Sequence, residues 1–131
     1  MPVPQDLEAP MARILVVDDE PALTQMITRA LKAARPDYEV SEAHDGFRAG
    51  QMVATLRPDV VILDLRMPGM DGFEVCKLIK SQDNTRHAVV LAMTAFPSPD
   101  SERRIRQCGA MECFTKPLDI EHLLQAVQTA V

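Results

Sequence analysis

Three unbroken apolar runs, Ile14–Val17, Val60–Leu63 and Ala88–Met93, each stop at a polar residue: Asp18, Asp64 and Thr94. Runs of this length with no polar alternation are the signature of strands buried on both faces, as in a parallel sheet. The middle run constrains the chain most. After Val60-Val61-Ile62-Leu63 comes a carboxylate, and two residues later a Met67-Pro68-Gly69 turn begins. Asp64 therefore belongs at the carboxyl end of a central strand, where open α/β sheets place their ligands. Alone, it serves equally well as a strand cap or turn residue, so the rest of the chain has to decide.

Between the runs the pattern turns helical. Pro21 follows Asp18-Asp19-Glu20, and Leu23, Met26, Ile27, Ala30 and Leu31 recur at helical spacing up to Arg35-Pro36, with proline favoured in the first turn and disfavouring helix just before it. Tyr38–Ala43 alternates weakly and reads as a second, edge strand. Phe47 to Leu56 reads as a second helix with Phe47, Gly50 or Gln51, Ala54 and Leu56 along its inner side. Phe73, Val75, Cys76, Leu78 and Ile79 make a third, ending near Ser81. Ser101 to Gln107 is a short polar helix closed by Gly109, the residue type usual at that position. Met111 to Thr115 is a fifth strand leading to Lys116-Pro117, and Ile120, Leu123, Leu124, Val127 and Val131 line the last helix. Five alternations of strand and helix predict an α/β fold with helices on both faces of a parallel sheet. The flavodoxin-like, doubly wound order 2-1-3-4-5, with five helices, puts the most apolar strands inside.

The 131 residues suit one domain, expected over 11–131 behind a flexible tail at 1–10. Cys76, Cys108 and Cys113 are odd in number and unpaired in spacing, while His44, His87 and His122 lack ligand spacing; neither a disulfide framework nor a zinc site is indicated. A reducing, cytoplasmic location is expected. No stretch approaches the ~20 apolar residues of a membrane helix. A net charge of −5 argues against a nucleic-acid surface. The eight methionines read as core filler, and Arg103, Arg104 and Arg106 as a solvated helix face.

In this topology Asp18, Asp19, Asp64, Thr94 and Lys116 all meet at one edge of the sheet. Carboxylates crowded there repel by about 4 kcal/mol per pair at 4 Å and intermediate dielectric, so a cation is required. Mg²⁺ accepts one or two carboxylates plus waters and phosphate oxygens, and Lys116 adds a second positive charge. Carboxylates, Mg²⁺, an amine and a hydroxyl suit phosphoryl transfer, with a carboxylate as acceptor in the absence of a stronger nucleophile.

Those residues, in that order, resemble the response-regulator receiver domain of two-component signalling. The matching marks are Asp18-Asp19, Asp64 with Met67-Pro68 and Gly72, Thr94-Ala95, and Lys116-Pro117, spread over nearly the whole chain. The resemblance implies that Asp64 is the phosphoacceptor. Asp19 and Asp64, with the main-chain carbonyl of Arg66, would hold Mg²⁺, and Asp18 would bind it directly or through water. Lys116 would pair with the phosphoryl group and Thr94 would move to bond it. It also implies a cis Lys116-Pro117 peptide, found in only about 5–6% of X-Pro bonds. The phosphodonor would be a sensor histidine kinase or a histidine phosphotransfer protein, and the output a downstream protein target, with no nucleic acid or membrane as partner. The expected form is a stand-alone module, monomeric or dimerising on phosphorylation, that assists its own phosphorylation and dephosphorylation without being an enzyme. A receiver from a longer regulator or hybrid kinase is the alternative. An Asp-dependent phosphatase would want an acid at position 66, where Arg stands.

One position departs from the family pattern. Its aromatic on the fifth strand is Cys113 here; Phe114 next door faces the other way, because strand neighbours alternate. Phe96 and Arg66, each two residues beyond a site residue, are placed to shield and screen an acyl phosphate and so to lengthen its life.

Overall fold

The computed structural model describes residues 9–131, so most of the expected tail lies outside the described residues. Strands β1 (Ala12–Val17), β2 (Tyr38–Ala43), β3 (Val60–Asp64), β4 (Val89–Thr94) and β5 (Glu112–Thr115) alternate with helices α1 (Pro21–Ala34), α2 (Gly46–Leu56), α3 (Gly72–Ser81), α4 (Pro99–Gln107) and α5 (Ile120–Ala130). The sheet is parallel throughout in the order β2-β1-β3-β4-β5, as the apolar runs required.

Alternation divides the core into two layers. Leu15, Val17, Val61, Leu63, Val90 and Ala92 face α2, α3 and α4, meeting Ala49, Val53, Val75, Cys76, Ile79 and Ile105. Ile14, Val16, Val60, Ile62, Leu91 and Met93 face α1 and α5, meeting Ile27, Leu31, Leu123, Ala126 and Val127. β3 is buried along its whole length, and a slip of register that drew the Asp64 carboxylate in among its apolar neighbours would be costly. Side-chain caps begin four helices: Asp45 accepts from Arg48 N, Asp71 from Glu74 N, Ser98 from Ser101 N and Asp119 from His122 N. Each satisfies a backbone donor that the first turn leaves free.

Several expectations are corrected. The inner side of α2 is Gly46, Ala49 and Val53, while Phe47 is 63% exposed and Ala54 also faces solvent. The true stripe starts one residue earlier, at a glycine whose added Cβ would lie 2.0 Å from the Met70 carbonyl oxygen; a stripe of small residues carries little hydropathy signal. On α1 the inward set is Thr24, Ile27 and Leu31, with Met26 exposed. Thr24 is tolerated there because its hydroxyl is bonded to Pro21 O and Glu42 Oε1. Val131 is also exposed. Of the methionines, Met67 and Met93 are buried, but Met11, Met26 and Met111 lie on the surface, so core filling accounts for only some of them.

Candidate functional site

The sheet delivers four strand ends to one edge. Asp18 follows β1, Asp64 ends β3, Thr94 ends β4 and Lys116 follows β5. Asp18 N donates to Ala43 O, which seats the acid between β1 and β2. Leu65 N donates to Met93 O and Lys116 N to Thr94 O, so the loops leave the sheet still tethered to their neighbours.

The side chains then converge. The Lys116 amine lies 2.6 Å from Asp18 Oδ2 and 3.4 Å from Asp64 Oδ1, reaching across the end of β4. Carboxylate oxygens of Asp18, Asp19 and Asp64 all fall within 4.8 Å of one another. Asp18 and Asp64 are buried and Asp19 is exposed, so the cluster opens to solvent on one side. Asp18 Oδ1 also accepts Glu20 N–H, just ahead of α1. Burial, and then the neighbouring Asp18 charge, push the Asp64 carboxyl up to about 6; Lys116 and the Arg66 amide only partly offset this. Burial works against the Lys116 ammonium, but the bonds and charges of Asp18 and Asp64 outweigh it and hold its pKa above the usual lysine value. Opposite charges close together favour each other's ionised forms.

With both neighbours ionised, three carboxylates and one ammonium leave the cluster about two charges negative, which a divalent ion would neutralise. The donors are hard oxygens, as Mg²⁺ requires, and opposite ligands of an octahedral Mg²⁺ stand about 4 Å apart. A span of at most 4.8 Å closes onto such an ion with small side-chain adjustments. The residues present fit the metal.

Thr94 is buried, and its hydroxyl oxygen accepts Phe96 N–H at 3.0 Å. Gly72, at the start of α3, sits directly under β3: an added Cβ would lie 2.3 Å from Asp64 O. The Lys116-Pro117 peptide is cis.

Comparison with known proteins decides what family carries this arrangement. The model of the response regulator receiver domain matches residues 14–128. The chain belongs to that family. Sporulation initiation phosphotransferase F of Bacillus subtilis is 33% identical over 116 residues, covering 88% of this chain and 90% of that one. Chemotaxis protein CheY4 of Vibrio cholerae has a TM-score of 0.85 and 35% identity over 92% of this chain and 99% of its own. The DNA-binding transcriptional regulator RpaA of Synechocystis is 35% identical over 118 residues, 90% of this chain but 48% of that protein. The chain thus spans about half the length of that relative. Receiver domains bind Mg²⁺ at an acidic pocket, and in this chain Asp18, Asp19 and Asp64 form an acidic cluster.

In this receiver, Cys113 and Phe114 face opposite sides of the sheet, as alternation required. Cys113 packs against the α2–α4 layer, and Phe114 lies in the α1–α5 layer with its ring edge-on to His122 at 4.9 Å. The Phe96 ring is 61% exposed and carries the Arg66 guanidinium 4.5 Å from its centroid. Arg104 is more than a solvated charge, because it stacks on Phe73 of α3 at 4.1 Å. Both stacks border an open cleft of about 620 Å³ beside Thr94. No spacing rule links residues 73 and 104 or 66 and 96, so pattern reading missed both stacks. Among the described residues no helix is long and apolar enough to cross a membrane, and the three cysteines are free thiols.

Proposed function

We propose that Asp64 is the phosphoacceptor of a two-component phosphorelay, taking a phosphoryl group from the phosphohistidine of a sensor kinase or histidine phosphotransfer protein. The observation that carries this reading is the Lys116 amine set between Asp18 and Asp64, within 3.4 Å of both. An Asp64 oxygen attacks phosphorus as the bond to the imidazole nitrogen breaks, and the electron pair leaves with the imidazole. Phosphoryl transfer needs little covalent help, so positioning and charge neutralisation carry it. Lys116 moves its charge toward the phosphoryl oxygens, and Asp18 holds the amine in place meanwhile. Thr94 turns its hydroxyl to donate to one of those oxygens. Mg²⁺, held by Asp18, Asp19, Asp64 and the Arg66 main-chain carbonyl, would supply the remaining positive charge. Hydrolysis of the product resets the module; it is a switch that aids its own modification, not a catalyst that turns over substrate.

The switch's target is a protein. A net charge of −5 argues against a nucleic-acid surface, and free thiols suit a cytoplasmic setting. The longer relatives favour one further reading, a receiver that forms part of a larger regulator. Incubation with a small-molecule phosphodonor and Mg²⁺ tests the core claim. One phosphoryl group per chain by intact mass is expected, lost in Asp64→Asn. Rapid phosphate release with no phosphorylated chain accumulating would instead identify a phosphatase, and an unchanged mass without phosphate release would refute phosphoacceptance.

A further inference from the structure

Two contacts meet on the loop that leaves β4. The buried Thr94 hydroxyl accepts the N–H of Phe96 at 3.0 Å. The Phe96 ring lies under the guanidinium of Arg66 at 4.5 Å. Arg66 in turn stands two residues beyond Asp64, on the neighbouring strand's loop. A single stack therefore ties the loop bearing Asp64 to the loop bearing Thr94, and the tied residue is the one whose amide grips the threonine.

The geometry points to Arg66 and Phe96 as positioning residues that act on Thr94. The stack fixes the backbone at residue 96, and through that N–H it keeps the Thr94 hydroxyl in the orientation of the unmodified protein. This rests on the proposed phosphoacceptor role of Asp64 for its purpose, but not for its existence. A phosphoryl group on Asp64 pulls at both ends of the latch. It offers the Thr94 hydroxyl hydrogen an anionic acceptor, and it offers Arg66 a bidentate partner two residues away. A charge-assisted pair of that kind is stronger than an exposed cation–π contact, so modification opens the latch. The device also answers the departure at β5. Cys113 is too small to follow Thr94 as an aromatic would, and Phe114 faces the other layer; here the ring that senses Thr94 lies on Thr94's own loop.

The latch is read from the Thr94 γ-methyl resonance in threonine-methyl-labelled protein, with beryllofluoride and Mg²⁺ titrated in afterwards. Phe96→Ala and Arg66→Met are each expected to move that resonance toward its beryllofluoride-bound position before any ligand is added. Phe96→Ala should also tighten beryllofluoride binding by about two- to fivefold, the range of an exposed cation–π contact, whereas Arg66→Met, which loses the charge-assisted partner as well, should not tighten it. The double variant should move the free protein's Thr94 resonance no further than either single one, and Phe96→Tyr, which keeps the ring, should match the unsubstituted protein. A Thr94 resonance unmoved in Phe96→Ala, or effects that simply add, would overturn the latch. Should the unsubstituted protein fail to bind beryllofluoride, the phosphoacceptor reading falls instead, and the resonances of the free variants still decide the latch.

Discussion

Lys116 donates to Asp18 at 2.6 Å across 98 residues of sequence, and the carboxylate it meets has no exposed side-chain surface. Removing one partner of a buried ion pair leaves the other charged and unsolvated, a loss of about 3–5 kcal/mol. Lys116→Met keeps much of the stem and removes the charge. Urea denaturation at pH 7 without divalent metal should show a loss of about 3 kcal/mol, softened because Asp18 retains the Glu20 N–H. A stability unchanged within error would mean that Asp18 is protonated or hydrated, and that the pair is incidental.

Asp64 makes the opposite contribution. Its carboxyl is raised from 3.8 to about 6, so between those values the folded protein binds more protons than the unfolded chain. Stability from this group is full below pH 4 and is lost as pH rises through about 6. Two units correspond to about 3 kcal/mol at most. Without metal, Asp64→Asn should therefore stabilise the protein by about 1–3 kcal/mol at pH 7.5 and give no gain at pH 4. Paired denaturation curves at the two pH values check this, and a destabilised Asn variant at pH 7.5 would contradict it.

Gly72 and Gly50 both begin or sit within helices, yet only one should resist a methyl group. An alanine Cβ at 72 would press on Asp64 O at 2.3 Å and Leu65 Cα at 2.7 Å, both backbone atoms. At 50 it would meet only the flexible Leu78 Cδ2, at 3.2 Å. Gly72→Ala should cost at least about 1–3 kcal/mol, the scale of overpacking, and should slow phosphorylation by displacing the end of β3. Gly50→Ala should be neutral or stabilising, since alanine gains about 1 kcal/mol over glycine inside a helix. Chemical denaturation of the two variants side by side separates the cases.

Strand placement and sheet order were legible because the signal is redundant: β3 is apolar at four positions running and stops at a carboxylate, which marks where it leaves the sheet. The gathering of side chains was legible for the same reason, since Asp18, Asp64 and Thr94 stand where apolar runs stop and Lys116 follows the fifth strand. Helix faces were less so. In α2 the inner residues are Gly46, Ala49 and Val53, small side chains that lose to Phe47 in any hydropathy pattern but win in space against the Met70 backbone. The aromatic–arginine stacks were invisible because one joins two loops and the other joins α3 to α4, through surface groups that period and propensity do not place.

The acid cluster also predicts how the protein answers to metal. Anything that binds the folded chain alone stabilises it by RT ln(1 + [L]/Kd), about 1.4 kcal/mol at tenfold excess over Kd. Mg²⁺ should raise the calorimetric Tm at pH 7.5, and a chelator should reverse the rise. Metal ligands must be deprotonated, so with the Asp64 carboxyl at about 6 the response should fade as pH falls through that value and be nearly gone by pH 5. Asp19 is the exposed member of the cluster, and a surface substitution there should shift stability by no more than about 0.5 kcal/mol. Asp19→Asn should consequently melt like the parent without metal while losing most of its magnesium response. Retention of the full response in Asp19→Asn, or a response that persists at pH 5, would mean that the ion binds elsewhere and that the gathering of Asp18, Asp19 and Asp64 serves the fold alone.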